Sequence, residues 1–184
     1  VRQARGAGPA DPLRGGAVNE VELRLLLDGS EGEAVEFKPA LLPSKELAEY
    51  AVGIGNAGGG RLLMGITDRK PRRLTGMPLP SERELSQLRK SVMDSAQVRI
   101  ELEAVSTAEG SVVVARIPGR PRGTIFHTRT GKYLTRLGEE LRGLTPAEID
   151  DIRREAGFEL TAEELPGSAL DHVSAVGMED LRAL

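Results

Sequence analysis

The chain has 184 residues, the length of one domain with room for a partial second, and a chain of this size buries about 70% of its unfolded surface without a disulfide or metal to hold it. It contains no Cys, which excludes disulfide frameworks, thiolate nucleophiles and Cys-based zinc or iron–sulfur sites, and its two histidines, His127 and His172, lie too far apart in sequence for a His-rich metal cage. Its 25 Lys and Arg against 28 Asp and Glu give a net charge of −3, which as a total argues against a general nucleic-acid binder, and 3% aromatic residues with no Trp leave few rings on which single-stranded bases could stack.

Residues 1–18 are rich in Gly and Pro, show no periodicity and read as a flexible tail. From Asn19 a cap, early acids and apolar Val21, Leu23, Leu25, Leu26 and Leu27 predict a short helix that stops at Asp28-Gly29. Residues 34–38 alternate as a strand until Pro39. Ser44 is the expected cap of the helix that follows, with Leu47, Ala51 and Ile54 on one face and a glycine run to end it. Residues 61–67 form a nearly continuous apolar strand, which implies a central position covered on both faces.

A turn over 68–76 leads into an amphipathic helix over 81–96 that presents Leu85, Leu88 and Val92. Runs 98–105 and 111–117 predict one hairpin, and 124–128 with 132–137, flanking Arg129-Thr130-Gly131, predict a second. Thr145-Pro146-Ala147-Glu148 opens a helix to about Ala156, with Thr as cap, Pro at the first position and Glu at the third. Residues 158–184 read as an acidic linker or the start of a truncated C-terminal region. The expected fold of residues 19–157 is α+β: a mixed or antiparallel sheet of five to six strands with two to four helices packed on it. No apolar run approaches the ~18 residues of a membrane helix and no signal peptide is evident, so the chain reads as a soluble, cytoplasmic protein without a membrane partner.

Gly53-Ile54-Gly55-Asn56-Ala57-Gly58 matches the letters of a dinucleotide-binding loop, but such a loop follows a strand and opens a helix, whereas this segment ends a helix and precedes a strand. It reads as a helix stop and a tight turn. The charge map carries more information than the total. Between Gly110 and Gly138 lie Arg116, Arg120, Arg122, Arg129, Lys132 and Arg136 with no acid, and Arg69, Lys70, Arg72 and Arg73 crowd one turn. Residues 139–171 hold ten acids against three arginines. The basic turns are therefore candidate phosphate contacts, while the acidic stretch stays away or competes for the same surface.

Carboxylates also gather around the first strand and the end of the central one. With a turn at Gly32 and neighbouring strands, Glu31, Glu36 and Asp68 would converge as a hard oxygen site for Mg²⁺ or Mn²⁺. Ordinary surface acids beside Lys38 are the alternative.

The ordered blocks Glu31-x-x-x-Val35-Glu36-Phe37-Lys38, Gly55-Asn56-Ala57-Gly58-Gly59, Leu62 to Asp68 and Tyr133-Leu134-Thr135-Arg136-Leu137-Gly138 resemble the Schlafen-type AlbA domain over about residues 19–155. The resemblance implies a nucleic-acid-binding, specifically DNA-binding, module of a bacterial transcriptional regulator, with Arg69, Lys70, Arg72, Arg73, Arg120, Arg122, Arg129, Lys132 and Arg136 on phosphates. It also implies two alternatives. One is a metal-dependent endoribonuclease cleaving structured RNA such as tRNA, with Glu31, Glu36 and Asp68 as catalytic and metal-binding residues. The other is a non-catalytic module that homodimerises. Two departures stand out: glycines replace the usual alanines at Gly53 and Gly55, which predicts looser helix packing, and Thr67-Asp68 replaces the common pair of acids, leaving one ligand fewer.

Overall fold

The structure, a computed structural model, describes Leu23, Leu27, Gly32 and residues 34–163. The expected tail over 1–18, Glu31 and the stretch beyond Glu163 lie outside the described residues.

Among residues 34–163 the elements are β1 (Val35–Lys38), α1 (Ser44–Asn56), β2 (Gly59–Met64), α2 (Glu82–Ala96), β3 (Glu101–Thr107), β4 (Gly110–Pro118), β5 (Leu134–Leu137), β6 (Glu140–Gly143) and α3 (Pro146–Glu163). The fold is α+β, and the strands divide into a four-stranded sheet, ordered β1-β2-β4-β3, and a separate β5-β6 pair. β1 and β2 are parallel, so α1 serves as the crossover that a parallel pair needs; the other neighbours are antiparallel.

β2 is interior and buried on both faces, as its unbroken apolar run requires. Leu62 and Met64 face one core with Leu47, Ala51 and Ile54 of α1 and Leu85 and Val92 of α2. Leu63 faces the other with Phe37, Val112, Val114 and helical Leu23 and Leu27. α2 begins on a capping box in which the Ser81 hydroxyl accepts from Glu84 N–H and the Glu84 carboxylate from Ser81 N–H.

Three details differ from the sequence expectation. Ser44 is the first residue of α1 rather than its cap; Pro43 holds the cap position with no side-chain bond. The second hairpin is displaced along the chain: residues 124–128 form no strand, and β5 pairs instead with β6 around Gly138, whose φ of +61° suits glycine. The polar Thr128 to Lys132 segment is a closed turn, with Thr128 N–H donating to Lys132 O at 3.0 Å and Gly131 N–H to Thr128 O at 2.8 Å. α3 continues past Ala156 to Glu163, because nothing in that stretch breaks a helix except Gly157.

The glycines of α1 also act differently from expectation. Gly53 and Gly55 lie inside the helix, and the positive-φ turn is carried by Gly58 and Gly59. A Cβ at Gly55 would sit 2.6 Å from the Phe126 ring, and one at Gly53 would run into Leu141. The two glycines thus admit a closer approach of the 126 segment and β6 rather than loosening the packing. Asn56 completes this contact: its amide donates to Phe126 O at 2.8 Å and Leu134 O at 2.7 Å, while its carbonyl accepts from Phe126 N–H at 2.9 Å.

Candidate nucleic-acid interface

The first basic segment is a lobe at the end of β2. Gly65 and Ile66 N–H donate to Lys38 O at 2.8 and 3.0 Å, tying the start of the lobe to the end of β1. Thr67 N–H reaches Arg73 O at 3.0 Å, Arg73 N–H reaches the Thr67 hydroxyl at 3.0 Å, and Thr75 N–H returns to Gly65 O at 3.0 Å. The Thr75 hydroxyl donates to Pro39 O at 2.8 Å. These bonds fix the base of the lobe against the end of β1, while its tip stays in solvent. Arg72 turns back onto the protein, with its guanidinium 4.0 Å above the Phe37 ring and a bond of 3.3 Å to Leu27 O. Arg69, Lys70 and Arg73 are exposed.

The second basic segment, 110–138, meets a different fate. Arg116 lies between Glu101 and Glu103, at 3.9 and 3.3 Å. Arg120 grips Glu155 of α3 through two bonds of 2.7 Å. Lys132 bonds Glu49 of α1 at 2.6 Å. Arg136 donates to Glu36, with its side chain fully enclosed. Arg122 and Arg129 are exposed.

Arg129 N–H donates to Ser95 O, and beside it a recess of about 160 Å³ is lined by Ser44, Lys45 and Thr130 among others. Lys45 is a cation that the sequence reading missed; only the packing of the 128–132 turn against the start of α1 brings it beside Arg129.

Glu36 and Arg136 unite the two most separated family-like blocks of the sequence. On β1, Glu36 and Lys38 project toward the face that carries α1. Glu36 accepts from Lys38 Nζ at 2.5 Å and from Arg136, which also donates to Gly138 O at 3.2 and 3.4 Å. Burial pulls the Lys38 ammonium down, but its hydrogen bonds to Glu36 and the Tyr50 hydroxyl outweigh that and hold it above its ordinary value. This cluster pins β1, α1 and β5 together. Arg136, expected on a phosphate, is here a buried structural cation, and its guanidinium does not reach solvent.

The described residues do not fit a shared divalent cation. Glu36 is 5% exposed and already neutralised by two cations, whereas Asp68 is exposed in the lobe beyond β2. Glu31 lies outside the described residues, and among those described no group of three or more His, Asp or Glu could hold a metal ion. Among the described residues, no helix is long and apolar enough to cross a membrane.

The fold is similar to that of the DIP2311 protein from Corynebacterium diphtheriae, known from a crystal structure, with a TM-score of 0.54 at 18% identity. The likeness covers 73% of this chain and 28% of that one, so this chain spans little more than a quarter of the length of that relative. A solution structure of the N-terminal domain of a RecG-related protein from Nitrosomonas europaea matches with a TM-score of 0.49 at 15% identity, over 66% of this chain and 90% of that domain. No curated protein matches. The Schlafen, AlbA_2 family matches residues 31–145, well over half of the chain and the whole span from the Glu36 strand to the end of the β5-β6 pair, and the chain belongs to that family.

Proposed function

We propose that this chain is a nucleic-acid-binding module, on DNA or structured RNA, that reads phosphate backbone through the 69–73 lobe, with Arg122 and Arg129 as further contacts. The observation that carries this reading is the lobe itself. Hydrogen bonds between Gly65 and Thr75 and between Thr67 and Arg73 close its base, Arg72 anchors it on Phe37, and Arg69 and Arg73 are exposed on the resulting protrusion. Cations held on an ordered loop lose little entropy on meeting a phosphate, and each contact releases a counterion from the nucleic acid. In a transcriptional regulator such a module would position the protein on its target, with sequence choice supplied elsewhere.

Fluorescence anisotropy with a labelled duplex DNA and a labelled tRNA-like hairpin, across a salt series, tests the reading. Binding should weaken with salt with a log–log slope of ~0.9 per duplex phosphate contacted. Absence of binding to both ligands at low salt would overturn it.

A further inference from the structure

Glu155 is placed differently from the other acids of α3 whose side chains are described. Glu148 pairs with Arg142, just before the helix, while Asp150 and Asp151 pair with Arg153 and Arg154 one turn on. Glu155 instead reaches back to Arg120. One of its oxygens accepts from Arg120 Nη2 at 2.7 Å, and the other accepts from Arg120 Nη1 at 2.7 Å and Gly123 N–H at 3.1 Å. Arg122, in the same loop, adds positive charge at the carboxylate.

A forked guanidinium and a backbone N–H converging on one oxyanion are the donor set that recognises a phosphate. The loop that carries them, Pro118-Gly119-Arg120-Pro121-Arg122-Gly123, has two cations and no acid. Its shape also has supports outside α3. Arg120 N–H donates to Gly55 O at 2.9 Å, Thr124 N–H donates to Pro121 O at 3.0 Å, and Gly119 lies so close to the Gly58 carbonyl that a Cβ would meet it at 2.5 Å. The donors are thus aimed by α1 and the 57–58 turn as well as by the helix that satisfies them.

We propose that the 118–123 loop is a second site for a nucleic-acid phosphate and that Glu155 fills it as a surrogate anion, so that α3 competes with the ligand for Arg120 and the Gly123 N–H. The proposal rests on the nucleic-acid reading above and adds an internal competitor to it. The exchange is of one anion for another: Arg120 keeps a bidentate partner in both states, and no buried charge is stranded. What opposes the exchange is confined to α3, namely the burial of Ile152 and the tight contact of Gly123 with Ala156.

The experiment compares the full chain with E155Q and D151N by anisotropy on the same duplex and hairpin. Each variant removes one negative charge from the same helix, but only Glu155 touches the loop. E155Q should bind roughly three- to tenfold tighter, as expected when a site open a minor fraction of the time is freed, and its salt slope should steepen. D151N, which loses only an exposed pair within the helix, should stay within about twofold of wild type. In the double variant R120M/E155Q the gain should vanish, whereas a gain caused by general loosening of the helix would persist.

Equal effects of E155Q and D151N, or a gain that survives R120M, would overturn the competitor. If wild type binds and E155Q binds no tighter, this proposal fails while the nucleic-acid reading stands. If neither binds, both fail.

Discussion

The two basic segments of this protein look alike in sequence and behave differently once folded. The 69–73 lobe leaves the end of the sheet and closes on itself, so its exposed arginines and lysine stay at the periphery. The 110–138 span runs through the body. There Glu36 arrives from β1, Glu49 from α1, Glu101 and Glu103 from β3 and Glu155 from α3, and each takes a cation. A stretch without acids is therefore not a surface without acids: carboxylates distant in sequence are brought to it by the same contacts that build the fold.

The largest expected effect attacks the most deeply buried of these pairs. Glu36→Ala leaves Arg136 enclosed without its carboxylate and should cost about 3–5 kcal/mol in a urea or thermal melt. A loss under ~1 kcal/mol would mean that the pair is not a structural pin. Asn56→Ala removes three hydrogen bonds to partly buried backbone and should cost about 2–4 kcal/mol by the same melt.

The lobe should show the reverse pattern. The double variant R69A/R73A should leave stability within ~0.5 kcal/mol, yet weaken nucleic-acid binding and lower its salt slope by ~0.9 for each duplex phosphate that the variant no longer neutralises. Removing Arg116 and Lys132 together should change affinity far less, since both are already paired. An equal weakening from the two sets would erase the contrast between the segments.

The α3 clamps give a pH-dependent arm. Hydrogen bonds from Arg142 and from Thr145 hold the Glu148 carboxyl at about 2, and those from Arg120 and Gly123 hold Glu155 at about 2, against an ordinary 4.5. A carboxylate held below its unfolded value contributes stability above that value and loses it as pH falls through the folded one. Protection of α3 amides from hydrogen exchange should therefore be level from pH 7 to about 5 and decline from about pH 4.5 toward 2. A decline already complete by pH 5 would show that these pairs do not hold the helix. The smallest effect is expected for Lys132→Ala, whose exposed pair with Glu49 should be worth under ~1 kcal/mol in the same melts.

Much of the architecture is legible in the sequence because it is written in local signals. The unbroken apolar run of β2 requires two covered faces, Ser81 with Glu84 marks the start of α2, and Thr145-Pro146 with Glu148 marks the start of α3. The second hairpin is not legible, because Thr124 to Thr128 has strand-like alternation, while the partner that wins, β6, is short and polar. The roles of Gly53 and Gly55 are hidden because a glycine's neighbour across space has no local signature. The site is less legible than the fold. Exposure of Arg69 and Arg73 follows from their place in a turn, but the capture of Arg120, Lys132 and Arg136 depends on acids up to a hundred residues away.

The sequence by itself determined the order and type of most elements, the family-like blocks and the existence of two basic segments, since these depend on periodicity, turn residues and composition over short windows. The tertiary structure alone decided which cations remain available to a polyanion. Availability depends on what stands opposite each guanidinium or ammonium within a few ångströms, and a charge count along the chain carries no information about that distance.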